Sequence, residues 1–552
     1  MYSRYSGHVS HAKSEERRAL TNFPTVCKEK RVLCYQYTLF SKTGIFIQVT
    51  TKHRGKRRFK VRLDVPVTTS VDFCGLGPSN RNMTTITIDV LPNDTLLDIF
   101  DFHRIRQLNA WRWDQLAHVC RRWRQIIFES PLRLRLHLHC INSTPIRKHL
   151  GVWPPLPLTI VYNLTRGLSP NCEDNLLAAL ENPDRVISLD LCFTVSDLAK
   201  LVTALQKPFP VLTKLKLTLR FGVDQLPSGF LCGSMPCLQE LYLRHLPFPE
   251  LPTLLLSTRG LVALYLSEIP PAGYISPQAM SACLSTLTRL TVLSIMFRLE
   301  DDDTFALPEE IEPATITPIV LPSLTSIYFR GICAYMEGLL AQIDCPRLRK
   351  IDLSYFYPSL GFQATQLSNF INRSEDHQPS LFSKTEVNIG EEISLHVIPK
   401  GPNSFNVSLS LRDFLQDFEW EVSDLLHVFS KFSQTLSNTH NLHIGFSGNR
   451  GTEMGHSEWV QLLRPFTTMK ALMIYGDLAE DTALFLEEID AEMATGLFPA
   501  LEILCITKEL SEFSSSSIAK SVAKFCAVRR SSGRPVTFLR NPFEFYEFTR
   551  CV

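Results

Sequence analysis

Leu212–Leu217 reads LTKLKL, with apolar residues at the first, fourth and sixth places and polar residues between them. Its end alternates as the two faces of a short strand, and its first leucine closes the turn before it. The same arrangement stands upstream as VISLDL (Val186, Leu189, Leu191) and downstream as LQELYL (Leu238, Leu241, Leu243) and LVALYL (Leu261, Leu264, Leu266). It continues as LTVLSI (Leu290, Leu293, Ile295), LTSIYF (Leu324, Ile327, Phe329) and LRKIDL (Leu348, Ile351, Leu353). Two late copies are MKALMI (Met469, Leu472, Ile474) and LEILCI (Leu501, Leu504, Ile506). The first seven copies start at residues 186, 212, 238, 261, 290, 324 and 348, which are 26, 26, 23, 29, 34 and 24 apart.

That period fits leucine-rich repeats with two longer insertions. Turn residues precede many copies, as in FPVL, MPCL, LPSL, CPRL and FPAL. Between strands lie stretches such as Asp197–Gln206 (DLAKLVTALQ), where Leu198, Leu201, Val202 and Leu205 have helical spacing. One strand and one helix per repeat predict an α/β solenoid, in which stacked repeats share a core and the strands line a concave surface. A doubly wound sheet is the alternative. The regularity of the strands and the lack of a dinucleotide fingerprint speak against it. The register fades between about 357 and 437, where KTEVNI, EISLHVI and FNVSLSL read as further strands of an irregular part. Leu411, Leu415 and Phe418 suggest a helix there, followed by an amphipathic helix over Val422–Phe432.

The chain has 552 residues, more than one ordinary compact domain holds. Its 45% hydrophobic content suffices for a large core, and a net charge of +2 gives no global attraction to nucleic acid or acidic membrane. The 15 cysteines are scattered without a C-x-x-C pair, which argues against a zinc site or disulfide framework and suits a reduced cytoplasmic or nuclear setting. The opening MYSRYSGHVSHAKSEERRAL lacks the apolar core of a secretory signal. No apolar run approaches the ~20 residues that span a bilayer, so no membrane partner is expected.

Three domains follow from these shifts of pattern. Residues 1–85 are polar and basic, with short strand-like runs at Gly44–Thr51 and Phe59–Val65, and are expected to be poorly ordered. Within them KHRGKRRFK (Lys52–Lys60) reads as a solvated basic stretch, a nuclear localisation signal or a nucleic-acid patch. Residues 86–150 are helical and rich in tryptophan: Trp111, Trp113 and Trp123, with Trp153 just beyond, are four of the six in the chain. The prolines of WPPLPLTIVY (Trp153–Tyr162) then mark the start of the repeat domain, 151–552.

Two stretches of the middle segment have a purposeful pattern. In IDVLPNDTLLDIFDF, Pro92 suits a helix start and Asn93 or Asp94 a cap, and Leu96, Ile99, Phe100 and His103 follow on one face. In LAHVCRRWRQIIF, Leu116, Val119, Cys120, Trp123 and Ile127 form one apolar stripe, with Arg121, Arg122 and Gln125 elsewhere around the helix. Such stripes pack a local core or dock on a partner.

These residues resemble the F-box, whose pattern LPxExLxxIF is met by Leu91-Pro92, Asp94 in place of the Glu, Leu96 and Ile99-Phe100. Its closing helix is met by Val119-Cys120-Arg121-Arg122-Trp123-Arg124, and the string Trp111–Leu138 is similar to F-box proteins expanded in mushroom-forming fungi. The link His103–Gln115 departs from the usual short one. The resemblance implies a substrate-recognition adaptor of a cullin-RING (SCF-type) ubiquitin ligase. The F-box would dock on a Skp-type subunit and through it a cullin, while the leucine-rich repeats hold an unknown protein substrate. Carried over by position, Leu91, Pro92, Leu96, Ile99, Phe100, Val119, Cys120 and Trp123 are its contact or motif-core residues.

Catalysis is not indicated: G-x-S-x-G, H-E-x-x-H and Walker A strings are missing, so no enzyme activity, cofactor or metal is expected. His137 and His139 have strand-like alternation, and Glu300–Asp303 reads as a solvated acidic loop. Two rival functions remain. A repeat scaffold could act without a ubiquitin role, or Arg121, Arg122 and Arg124 could contact nucleic acid from a helix.

Overall fold

A computed structural model of the chain describes residues 34–40, 46–52, 58–64, 91–97, 100, 117, 119–129, 136–141, 146–152, 155–163, 168–220, 235–298, 318–356, 364–373, 382–389, 392–399, 406–412, 422–446, 454–510 and 514–551. Ile99, Leu116, the 103–115 link and the acidic run 300–303 lie outside the described residues. The chain divides into two compact units, Met1–Glu129 and Ser130–Val552.

The first unit contains a three-stranded antiparallel sheet of β1 (Cys34–Phe40), β2 (Phe46–Lys52) and β3 (Arg58–Asp64). β2 and β3 correspond to the two strand-like runs. β1 was hidden by the polar composition, and the three strands share a paired register. That register sets Tyr37, Val49 and Val61 in one row and Leu39, Ile47 and Leu63 in the next. Residues of this kind favour a pleated surface.

The second unit is built on one sixteen-stranded sheet. It opens with β4 (Leu136–His139), β5 (Leu158–Asn163), β6 (Val186–Thr194), β7 (Lys214–Arg220), β8 (Glu240–Arg244), β9 (Ala263–Ile269) and β10 (Val292–Phe297), each parallel to the one before. β11 (Ile319–Val320) pairs separately with β13 (Ile343–Asp344), while β12 (Ser326–Gly331) and β14 (Lys350–Phe356) extend the main sheet. The sheet therefore begins at Leu136, ahead of the boundary at about 150 read from the prolines. A four-residue strand is too short to stand out beside WPPLPL.

The region read as irregular keeps the sheet unbroken. β15 (Phe382–Ile389), β16 (Glu392–Pro399) and β17 (Asn406–Arg412) enter in reverse order, so that β17 lies beside β14 and β15 beside β18 (Thr439–Phe446). β16 runs antiparallel to both neighbours, and the other new contacts are parallel. Leu411 belongs to β17, not to the expected helix; its apolar neighbours Val407 and Leu409 have strand spacing. The amphipathic helix follows at Val422–Lys431. β19 (Ala471–Gly476), β20 (Ile503–Thr507) and β21 (Thr537–Phe538) complete the sheet in parallel.

Register carries one apolar row across thirteen strands: Leu191, Leu217, Leu243, Leu266, Ile295, Phe329, Leu353, Leu409, Leu395, Val387, Ile444, Ile474 and Ile506. None is more than 3% exposed. At ~25 cal/mol per Å² of apolar surface removed from water, burying rows of this length is the main favourable term of the fold. A second row, two residues earlier, runs from Leu189 through Leu293 to Leu504, with Thr385 as its polar member. The buried Thr385 hydroxyl meets that of Thr439 at 2.8 Å.

The turns before the strands are tied together too. Backbone amides of Gln239, Val262, Thr291, Thr325 and Arg349 donate in succession to the carbonyls of Thr213, Gln239, Val262, Thr291 and Thr325. The hydroxyls of Thr213, Thr291 and Thr325 add bonds of 2.8, 3.0 and 3.0 Å to the preceding repeat. Some helices begin at capped sites, as at Thr194, which forms a capping box with Asp197 for the Val195–Leu205 helix. Leu293→Ala is expected to cost about 2–5 kcal/mol, because it empties a place in the buried row. Tyr328→Ala on the other face is expected to stay within about 1 kcal/mol; urea unfolding of the two variants checks the contrast.

Candidate docking module and open sheet face

In the first unit, residues 93–97 are helical and their first turn closes with Leu96 N donating to Pro92 O at 3.1 Å. The second helix is Arg121–Glu129. It starts later than the stripe from Leu116 suggests, because Val119 lies in a turn and Cys120 stands just before the helix. Trp123 N donates to Cys120 Sγ at 3.4 Å, so the thiol occupies the place of a capping oxygen. The buried face consists of Trp123, Ile126 and Ile127. Ile126 was missed by the sequence reading, which followed only one diagonal of the helix.

Two contacts join the segments. The rings of Phe100 and Trp123 lie 4.8 Å apart at 56°. Arg122 Nη2 donates to Leu91 O at 2.5 Å and to Asn93 Oδ1 at 2.8 Å, fixing the Leu-Pro turn against the second helix. Asn93 thus serves the arginine rather than a cap. Arg124 Nε donates to Ala117 O at 3.0 Å.

This geometry sorts the candidate residues. Leu96, Phe100 and Trp123 are buried in the module itself, at 0%, 1% and 6% exposure, so they are core and not contact surface. Leu91 and Cys120 are half-buried and Pro92 is exposed. Val119 is 41% exposed and Phe128 36%, which puts two large apolar side chains in solvent on the second stretch. Ile99 lies outside the described residues.

Residues 88–139 match the model of the F-box-like family. They are an F-box-like domain. The match to the F-box-like domain continues past Glu129, where the first unit ends, through β4 of the second. No curated protein matches the chain. Among solved structures, the leucine-rich repeat-containing protein LegL7 from Legionella pneumophila is similar at 12% identity over 73% of this chain and 99% of its own, with a TM-score of 0.25. A chain of the Rad7 and Elc1 complex in yeast is similar at 12% identity over 82% of this chain and 94% of its own, with a TM-score of 0.23. The repeat architecture behind the F-box-like domain is established by the sheet and its register.

The open face of that sheet carries the other set of candidate residues. Between the two buried rows, register aligns Asp190, Lys216, Tyr242, Tyr265, Ser294, Tyr328 and Asp352. Lys216 Nζ lies 3.2 Å from Asp190 and 5.8 Å from the Tyr242 ring; Lys350 Nζ lies 3.1 Å from Asp352 and 4.7 Å from the Tyr328 ring. Tyr242 and Tyr265 pack at 5.8 Å, and burial raises the Tyr265 pKa. The sequence reading passed over this row. Its signal was the recurrent tyrosine between the last two apolar places of LQELYL, LVALYL and LTSIYF.

Among the described residues, no group of three or more His, Cys, Asp or Glu could hold a metal ion, and no helix is long and apolar enough to cross a membrane. His139 stands in β4, where burial lowers its pKa. Trp123→Ala is expected to cost about 3–5 kcal/mol and to expose the Phe100 ring, whereas Val119→Asp should change stability by less than about 1 kcal/mol. Thermal unfolding of the full chain, followed by tryptophan emission, separates the two.

Proposed function

We propose that the chain is the substrate-recognition adaptor of a cullin-RING (SCF-type) ubiquitin ligase. The F-box-like domain docks on a Skp-type subunit, and through it a cullin, while the repeats hold a protein substrate for ubiquitin transfer. The observation that carries this reading is the F-box-like match on a segment that keeps Pro92 and Val119 accessible outside its own core. Apolar side chains exposed beside a well-packed anchor suit a surface that another protein covers.

The tyrosine row supports the second half of the reading. Half-buried aromatic rings with paired charges at the ends offer stacking and hydrogen bonding to a polypeptide segment. In this reading the protein performs no catalysis, needs no cofactor, and works in the cytoplasm or nucleus, where the ligase subunits are.

Co-expression with a Skp-type subunit, followed by purification through a tag on either partner, tests the proposal. The two proteins are expected to co-purify. The double change of Leu91→Ala and Pro92→Ala, or Val119→Asp alone, should weaken the affinity tenfold or more, about 1.4 kcal/mol. Absence of association sinks the adaptor role, and salt-sensitive retention on DNA would favour the nucleic-acid alternative.

A further inference from the structure

The last strands of the sheet differ from the rest. In β7 the exposure alternates along KLKLTLR, whereas all five residues of β20 (ILCIT) are buried. Leu504 and Ile506 belong to the two buried rows. Ile503 and Cys505 point the other way, onto the open face, and together with Ala471 and Met473 they form an apolar bay around Phe545. Phe545 belongs to the C-terminal helix Pro542–Cys551 and is 0% exposed. The chain thus covers part of its own open face with its last helix.

The edge of that seat is poorly matched. His443 of β18 is 2% exposed, its ring lies 5.2 Å from Phe545 and 5.7 Å from Tyr546, and its Nε2 has no hydrogen-bond partner among the described residues. A buried polar atom without a partner is unfavourable, a penalty that seating the helix imposes and release removes. The charged and titratable groups around it are Lys384 and Glu386 of β15, Tyr475 of β19, Cys505 of β20, and Glu544 and Tyr546 of the helix. Lys384 is paired with Glu386 and lies 5.6 Å from the Tyr546 ring. Among the described residues, no carboxylate bonds the imidazole.

We propose that the C-terminal helix is a displaceable, proton-sensitive strap that closes one end of the open face by seating Phe545 in the bay beside the unpartnered His443. Register continues the tyrosine row from Asp352 through Ser408, His396 and Glu386 to His443, Met473 and Cys505. Release therefore lengthens the accessible row by three strands and turns it apolar at that end. This consequence rests on the reading of the open face as the substrate surface; the strap itself does not.

The direction of the pH effect follows from His443. Burial, and then Lys384, lower its pKa to about 3 with the helix seated, against the usual value of about 6.5 in water. The seated form accordingly has its full strength above about pH 6.5 and loses it as pH falls toward 3. Between pH 7 and pH 5 the ratio of released to seated helix should rise about 25-fold.

Hydrogen exchange of the full chain, corrected for intrinsic rates, tests this without any partner, so it holds or fails independently of the adaptor role. Residues 542–551 are expected to open separately from β18–β20, about 25-fold more at pH 5 than at pH 7. His443→Leu should flatten that dependence, and Phe545→Ala should raise opening at pH 7. Exchange of the helix only together with β18–β20, or the same pH dependence in His443→Leu, overturns the strap. Should His443→Leu fail to fold, alkylation of Cys505 gives a second readout against Cys345, a buried thiol also raised to about 12. Cys505 should label faster than Cys345 in Phe545→Ala, and equal rates overturn the proposal.

Discussion

The in-register apolar row from Leu191 to Ile506 is the constraint on which the repeat unit depends. Side chains on a strand alternate with a period of two, so a slip of one residue would carry Lys216, Tyr242 and Asp352 into the interior and the leucines out. The turn threonines oppose such a slip, because each hydroxyl bonds one carbonyl of the preceding repeat. The open face is then fixed as a by-product. Whatever lies between two buried leucines must point away from the core.

The same constraint explains how the sheet tolerates β15–β17. A strand running backward still alternates with period two, so β16 can place Leu395 and Val397 in the buried rows while antiparallel to both neighbours. The rows continue without interruption. What changes is the hydrogen-bond pattern and the order of the strands, neither of which a spacing rule for parallel repeats contains.

The F-box-like domain depends on a different kind of contact. Arg122 reaches back 31 residues to the carbonyl of Leu91, and the Phe100 and Trp123 rings join the same two segments. Charge-assisted donation from a guanidinium and aromatic packing hold two short helical pieces, neither of which is long enough to be stable alone. This frees Pro92 and Val119 to face outward. The motif letters therefore serve two purposes, one inside the domain and one on its surface.

Sequence by itself determined the repeat, its seven-copy run, the strand and helix of each unit and the F-box-like pattern, because those features are local periodicities of apolar residues. It did not separate Leu96, Phe100 and Trp123 from Val119, since an apolar stripe looks alike whether its own domain or a partner covers it. It showed the strands of 382–412 but not their order, and the apolar run ILCIT but not the helix that covers its second face. Those outcomes were decided by the tertiary structure. They depend on which distant residues meet, and burial is a property of the neighbours rather than of the residue.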